Sequence, residues 1–244
     1  MEKEIKKLCD LIKYSEGSLF FTGAGVSTDS GIPDFRGDKG LYKNSGLGNE
    51  YYLSRECLVR EPEEFYRFFR KNMLFSDARP NSVHYAMARL EKAGLANGVI
   101  TQNIDGLHTA AGSERVIELH GNCRDYYCMR CGRSYTRMQV EECDGICRCS
   151  DCAGIVRPRV TLYGEALEKK CLEKAEAECE RAELVIACGT SLTVWPAASF
   201  AQSAKKLVIL NLSPTPLDNE AELVIRAPLG DVFAKITREF FAEE

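Results

Sequence analysis

The stretch FFTGAGVSTDSGIPDFRG, residues 20–37, joins a buried strand to a glycine turn and so decides the fold. Gly23-Ala24-Gly25 begins like a dinucleotide-binding fingerprint, because glycine lets backbone amides approach a phosphate closely. The third glycine of that fingerprint is missing, since Thr28 stands in its place. No Gly-Lys-Ser/Thr follows, which excludes a Walker loop. Taken alone, the turn is compatible with a phosphate-binding loop or with an ordinary strand-to-helix turn.

Six short apolar, β-branched runs predict buried parallel strands. They are SLFFTG (18–23), GVITQN (98–103), RVIELHG (115–121), LVIACGT (184–190), KLVILNL (206–212) and ELVIRA (222–227). Helical patterns lie between several of these runs: an amphipathic N-terminal helix, a helix capped by Asn81 or Ser82, a charged helix over 165–181 and a last helix over 231–241. This alternation predicts an α/β fold with a doubly wound, Rossmann-like parallel sheet.

Two segments break the alternation and predict a smaller helical and zinc-binding domain. Residues 38–80 contain no strand run, but they hold aromatic residues at helical spacing in EPEEFYRFFRKNML. Residues 123–159 hold a cysteine cluster. The Rossmann-like domain would then comprise residues 1–37, 81–122 and 160–244. Because ligands of open α/β sheets bind at the carboxyl ends of the strands, the cleft between the two domains is the expected active site.

The composition excludes several functional classes. The 244 residues are 45% hydrophobic and 28% charged, which is ordinary for a globular protein. A net charge of −4 provides no overall basic field for nucleic acid. No apolar run approaches the ~20 residues of a membrane span. The charged N-terminus does not resemble a signal peptide, so we expect a reducing, cytoplasmic location with no membrane or direct nucleic-acid partner.

Seven of the twelve cysteines fall between residues 123 and 152. Two Cys-x-x-Cys pairs lie there, seventeen residues apart: Cys128, Cys131, Cys149 and Cys152. This spacing predicts a structural zinc site with four thiolate ligands and no open position. Cys147 is a competing ligand, whereas Cys123 and Cys143 are interpreted as ordinary thiols. Unliganded core cysteines and a nucleic-acid-binding zinc ribbon are the alternatives.

Polar side chains follow three of the predicted strands. Gln102, Asn103 and Asp105 come at the carboxyl end of the strand in GVITQN. Such a polar trio is costly unless it is paired, so we expect a loop that faces a ligand. A second strand ends at His120, the best placed of the three histidines for general-base catalysis. A third runs into CGTSL (188–192), a glycine turn with two hydroxyls.

Several motifs resemble, in order along the chain, those of the sirtuins, which are NAD-dependent protein lysine deacylases. These are GAGVSTDSGIPDFRG, TQNIDGLH, ELHG, the two cysteine pairs, RPRVTLYGEAL, GTSLTVWPAA and NLSPTP. The resemblance spans about residues 15 to 240. It implies a prokaryotic-type deacetylase that transfers an acetyl group from lysine to ADP-ribose and releases nicotinamide, O-acetyl-ADP-ribose and deacetylated lysine.

The resemblance also implies the site residues. His120 and Asn103 would be catalytic, with His120 taking a proton from a ribose hydroxyl. The NAD-binding residues would be Gly23, Ala24, Gly25, Thr28, Asp34, Phe35, Arg36, Gln102, Asn103, Ile104, Asp105, His120, Gly189, Thr190, Ser191, Asn211 and Val232. An acetylated peptide or protein would add as an extended strand along Val160, Leu162, Tyr163, Gly164, Glu165 and Val194.

The sequence leaves alternatives open for the preferred acyl group and for the type of reaction. Leu162 and Tyr163 stand where the family often has two aromatics. The segment DKGLYKNSGLG (38–48) resembles the deacetylase type, although Tyr42 and Lys43 keep a preference for acidic acyl groups open. The remaining alternatives are mono-ADP-ribosyl transfer at the same site, a pyridine-nucleotide dehydrogenase and a non-enzymatic zinc-ribbon scaffold.

Overall fold

The computed structural model describes residues 1–34, 40 and 49–242. The predicted loop residues Phe35 and Arg36, and the stretch that holds Tyr42 and Lys43, lie outside these ranges. The described residues form nine strands: β1 (Ser18–Thr22), β2 (Gly98–Thr101), β3 (Val116–Glu118), β4 (Gly121–Cys128), β5 (Ser134–Thr136), β6 (Val156–Val160), β7 (Leu184–Cys188), β8 (Lys206–Leu210) and β9 (Leu223–Ile225).

Helices connect most of these strands. They are α1 (Glu2–Tyr14), α2 (Asn49–Tyr52), α3 (Arg55–Arg60), α4 (Pro62–Met73), α5 (Ser82–Lys92), α6 (Leu107–Ala110), α7 (Arg137–Glu141), α8 (Lys169–Arg181), α9 (Ala198–Gln202) and α10 (Leu229–Phe241). Asn81 caps α5 by accepting a hydrogen bond from the Val83 amide. None of the described helices is long and apolar enough to cross a membrane.

The main sheet contains all six predicted strands in the order β3-β2-β1-β7-β8-β9, and every pairing is parallel. Numbered within this sheet alone, the order is 3-2-1-4-5-6, which defines a doubly wound fold. Side chains alternate across the sheet, so Phe20 packs with α1, α5 and α10 while Phe21 packs with α8 and α9. The predicted fold class is confirmed. The strand order reverses between β1 and β7, the position where such sheets bind ligands.

A second, antiparallel sheet has the order β5-β4-β6. Its core joins residues of both predicted insertions, because Phe65 and Phe69 of α4 pack in one cluster with Tyr126 and Val156. The pairing of this sheet runs from Gly121 to Val160, slightly beyond the predicted 123–159 segment.

The charged helix begins later than predicted, at Lys169 rather than at residue 165. The preceding residues form a turn instead, because the Glu165 amide donates to the Leu162 carbonyl at 3.0 Å. Leu167, which falls within the predicted helix, lines a cleft instead.

Candidate active site

A cleft of about 970 Å³ opens at the carboxyl ends of the main-sheet strands, where the strand order reverses. The structure brings almost all of the predicted site residues together on its walls. These are Gly23, Ala24, Gly25, Thr28, Asp34, Gln102, Asn103, Ile104, Asp105, His120, Val160, Leu162, Tyr163, Gly164, Glu165, Gly189, Thr190, Ser191, Val194 and Asn211. Five strand ends of the main sheet contribute to this set, as expected for a doubly wound fold, and β6 of the small sheet adds Val160.

Val232 does not line the cleft, because its side chain, on the buried face of α10, packs in the core. Pro228 and Leu229 face the cleft instead, since α10 begins there. Sequence reasoning also missed several lining residues: Val26, Ser27, Asp29, Ile32, Pro33, Leu53, Phe69, Asn72, Met73, Phe75, Thr161, Trp195 and Leu212. The signal for part of this set was the aromatic spacing of α4, although that spacing does not reveal which side chains reach the cleft.

Two glycine turns meet at the floor of the cleft. The Gly25 amide donates to the Gly189 carbonyl at 2.8 Å, and the Gly23 amide donates to the Cys188 carbonyl at 3.1 Å. A methyl group on Gly25 would lie 2.7 Å from the Gly189 Cα, closer than backbone atoms tolerate. Gly189 has φ +59°, a left-handed conformation that favours glycine. The close contact between the two turns therefore requires glycine at these positions, and the sequence alone did not reveal this requirement.

His120 is oriented by the backbone of the neighbouring strand end. Its Nδ1 lies 2.9 Å from the Gln102 carbonyl oxygen. Because a carbonyl only accepts, Nδ1 carries the proton and Nε2 of the neutral ring presents a lone pair. Burial lowers the pKa of His120 below its usual 6.5, although the hydrogen bond to Gln102 opposes that shift. The ring is thus neutral at pH 7 and able to accept a proton.

A chain of hydrogen bonds fixes Asn103 beside the first glycine turn. Its Nδ2 donates to the Gly23 carbonyl at 3.0 Å and to Ser27 Oγ at 3.2 Å. Ser27 Oγ in turn donates to Asp105 Oδ2 at 2.7 Å, while Asp105 Oδ1 accepts from the Leu107 amide. Burial raises the pKa of Asp105, and these two hydrogen bonds partly offset the rise. The polar trio predicted at the end of β2 is therefore paired.

The predicted substrate segment is held on one side by the helical insertion. The Tyr163 amide donates to the Leu53 carbonyl, and the Arg55 amide donates to the Tyr163 carbonyl, both at 3.0 Å. This gives a parallel bridge between Ser54 and Tyr163. An extended peptide can therefore pair only along the opposite edge of the segment.

The four paired cysteines converge outside the cleft. Cys128 and Cys152 place their sulfurs 3.5 Å apart, and Cys131 and Cys149 place theirs 3.6 Å apart. All four sulfurs lie within 4.8 Å of one another. Tetrahedral Zn–S bonds of about 2.3 Å separate the sulfurs by about 3.8 Å, so the donor set and its spacing fit zinc.

Tyr135 supports the cysteine cluster from a second position. Its hydroxyl donates to Cys149 Sγ at 3.1 Å and accepts from the Ser150 amide at 3.0 Å. The hydrogen bond from Tyr135 lowers the pKa of Cys149 to about 6, which favours the thiolate that a metal requires.

Cys147 and Cys143 do not belong to the four-cysteine cluster. They are joined to each other in a disulfide, with their Cα atoms 5.3 Å apart. The prediction of Cys143 as an ordinary thiol is therefore wrong, as is the prediction of Cys147 as a competing ligand. The turn that follows α7 brings the two residues together.

The two other histidines form a buried pair behind the cleft. His84 on α5 and His108 on α6 have ring centroids 4.8 Å apart. His84 Nδ1 accepts from the Asn81 amide, and His108 Nε2 lies 3.0 Å from Thr22 Oγ1. Burial lowers the pKa of His84 to about 4 and that of His108 to about 3. Both rings are neutral structural residues.

The doubly wound sheet, the cleft at its reversal point and a neutral histidine on the wall define an α/β enzyme of the dinucleotide-binding class. Comparisons with known proteins narrow the class. The family model of the Sir2 family matches residues 23–196. An NAD-dependent protein deacetylase of Clostridium acetobutylicum is 42% identical over 239 residues, covering 96% of this chain and 98% of the relative. The chain belongs to the Sir2 family, the sirtuins, as its motifs predicted.

Solved structures agree with this assignment. A Sir2 variant bound to a deacetylated peptide and 3'-O-acetyl-ADP-ribose superposes with a TM-score of 0.90 at 40% identity, covering 97% of this chain and 98% of that chain. A complex of Sir2 with a peptide and NAD+ superposes with a TM-score of 0.88 at 39% identity, covering 98% and 99%.

Proposed function

We propose that this protein is an NAD-dependent protein lysine deacetylase, which transfers the acetyl group to ADP-ribose and releases nicotinamide and deacetylated lysine. The observation that carries this function is His120, which lines the cleft as a neutral base in a chain of the Sir2 family. The related deacetylase from Clostridium acetobutylicum is similar over nearly its whole length. Family membership also disfavours the dehydrogenase and the non-enzymatic scaffold.

His120 acts as the general base. Bound NAD supplies a ribose whose bond to nicotinamide can be broken and whose hydroxyls can be deprotonated. His120 Nε2 has no chain partner among the described residues, so it is available to accept such a proton. The Gln102 carbonyl oxygen accepts a hydrogen bond from Nδ1–H throughout and so stabilises the imidazolium that forms. Asn103 is held against Gly23 and positioned to contact the same ribose.

NAD occupies the part of the cleft formed by the glycine turns and the strand ends. Gln102 Nε2 donates to Thr190 Oγ1 at 2.9 Å and so links two of these walls. Asn211 and Ser191 line the far end, where the adenosine would lie. The helix start at Pro228 and Leu229 replaces Val232 as the proposed neighbour of the adenosine.

The acetylated peptide adds as a strand between the substrate segment and the loop that contains Val194. The Leu162 amide and carbonyl are both used within the turn, and Tyr163 pairs with the helical insertion. Within the described residues, no chain partner binds the Gly164 peptide group. Within the segment Val160–Glu165, the Gly164 peptide group is therefore a proposed point of pairing with the peptide. Backbone pairing of this kind demands little of the peptide sequence.

One Zn²⁺ is bound by Cys128, Cys131, Cys149 and Cys152. The spacing of their sulfurs and the thiolate-favouring contact of Tyr135 support this assignment. With four protein ligands the ion has no open position, so it stabilises the small sheet and takes no part in the reaction.

The acyl preference remains a choice between acetyl and longer groups. Leu53, Phe69, Met73, Phe75 and Leu162 give the cleft a large apolar wall beside Ile104. Such a wall suits uncharged acyl chains. Tyr42 and Lys43, on which the alternative of an acidic acyl group rests, lie outside the described residues. Mono-ADP-ribosyl transfer uses the same site and stays a second candidate. The cytoplasmic location and the absence of membrane and nucleic-acid partners stay predictions.

A peptide panel tests the proposed function. Peptides that differ only in the acyl group on one lysine (acetyl, propionyl, succinyl) are incubated with and without NAD and followed by mass spectrometry. We expect NAD-dependent removal of the acetyl group, lost in the His120→Ala variant. Nicotinamide release that is the same with and without peptide would contradict deacetylation, and addition of ADP-ribose to the peptide would favour the second candidate.

A further inference from the structure

Arg157 is a buried cation outside the cleft wall. It lies on β6 with only 2% of its surface exposed. A buried guanidinium is strongly destabilising unless its donors are paired, so its partners reveal what it holds. Among them is the Val160 carbonyl, which accepts from Nη2 at 2.6 Å.

The main partner of Arg157 is Glu165. Nη1 donates to Glu165 Oε1 at 2.5 Å, and Nη2 donates to Oε2 at 3.0 Å, which is a bidentate pair. Burial raises the pKa of Glu165, but the hydrogen bond from Arg157 and that from the Leu162 amide outweigh it, and the net shift is downward. The carboxylate is therefore ionised and already satisfied by the chain itself.

Glu165 in turn shapes the substrate segment. Its Oε2 accepts from the Leu162 amide at 2.9 Å, and its own amide donates to the Leu162 carbonyl at 3.0 Å. These contacts close a tight turn around Gly164, whose φ of +84° is left-handed. Leu162, Tyr163 and Gly164 all line the cleft.

We propose that Arg157 is a positioning residue for the acyl-peptide, acting through Glu165 to hold the turn of the substrate segment in its binding shape. The inference rests on the proposed function, and it gives the Glu165 side chain a role within the protein rather than in contact with substrate. Among the described residues, no hydrogen bond joins Arg157 to the glycine turns, so its effect should be confined to the peptide side of the cleft.

The Arg157→Lys variant tests this role, because lysine keeps the charge but cannot form the planar fork. We expect the KM for acetyl-peptide to rise about tenfold, with the KM for NAD and kcat within about twofold of the wild type. Glu165→Gln should show the same split. The double variant should raise the KM no further than either single variant, since both remove one interaction.

Arg159→Lys is the matched control, because Arg159 lies on the same strand but is exposed, and its guanidinium lies over the Tyr127 ring. The Arg159→Lys variant should leave the KM for acetyl-peptide, the KM for NAD and kcat unchanged. Equal rises in both KM values, or a fall in kcat alone, would overturn the inference, as would additive effects in the double variant. If Arg157→Lys does not fold, Glu165→Gln carries the test by the same criteria. An inactive wild type would instead reject the proposed function.

Discussion

The buried histidine pair predicts a loss of stability on mild acidification. In the folded protein the pKa values of His84 and His108 are about 4 and about 3, against 6.5 for an ordinary histidine. Between the folded pKa values and 6.5, the unfolded chain therefore binds more protons than the folded protein. The free energy of unfolding rises with pH across this range and falls on acidification.

The magnitude follows from the proton count. Between pH 7 and pH 5.5 an unfolded imidazole goes from about one quarter to about nine tenths protonated, while the buried rings stay neutral. Each ring therefore lowers the free energy of unfolding by about 1.2 kcal/mol between pH 7 and pH 5.5, and the two rings together lower it by about 2.5 kcal/mol. The result depends little on the folded pKa values, because both lie well below pH 5.5.

Urea unfolding at pH 7.0 and 5.5 measures this loss. His84→Gln and His108→Gln each remove one titrating ring, and each should reduce the acid-induced loss by about 1.2 kcal/mol whatever its effect at pH 7. Arg159→Lys is the control, since it changes an exposed side chain and leaves all three histidines in place. His120→Gln is unsuitable, because burial also lowers the pKa of His120 and this ring contributes to the acid-induced loss. Comparing variants cancels the contributions of the cysteine cluster and the carboxylates. An acid-induced loss in both pair variants equal to that of the wild type would refute the reasoning.

Three further predictions concern the glycine turns and the metal. Gly25→Ala should lower the free energy of unfolding by about 1–3 kcal/mol in urea denaturation, because the methyl group meets the backbone of the second turn, whereas Gly230→Ala, with only a flexible neighbour at 3.4 Å, should change it little. A strong chelator should remove one zinc per chain, as measured by elemental analysis. Loss of the metal should abolish deacetylation together with the circular-dichroism signal of the small sheet. Full activity in the metal-free protein would exclude a structural role for the zinc. Tyr135→Phe should speed zinc loss to a chelator about tenfold, since it removes the hydrogen bond to Cys149, and an unchanged rate would show that this contact does not support the site.

The main sheet could be predicted because its strands are buried on both faces and therefore read as continuous apolar runs. The small sheet could not, since β4 has the polar sequence GNCRDYYC and pairs over an irregular register. The start of α8 was misplaced for a related reason. Glu165 looks like a helical residue in sequence, but the buried Arg157 draws it into a turn.

The candidate active site also combines residues that the sequence predicts with contacts that it does not. The strand-end residues Asn103 and His120 stand out because polar groups follow apolar runs at the ligand edge. The contact between the two glycine turns and the disulfide of Cys143 with Cys147 join residues whose proximity depends on the folded chain, so local patterns do not reveal them. The assignment of NAD rather than another nucleotide came from family resemblance, because the turn itself lacks the third glycine of the usual fingerprint.

The stoichiometry of the products tests the central claim most directly. Nicotinamide, deacetylated peptide and O-acetyl-ADP-ribose are quantified together by mass spectrometry during one time course with acetyl-peptide and NAD. Transfer of the acetyl group to ADP-ribose predicts the three products in equal amounts, all lost in the His120→Ala variant. Free acetate in place of O-acetyl-ADP-ribose from the earliest time point, or deacetylation without nicotinamide release, would contradict it.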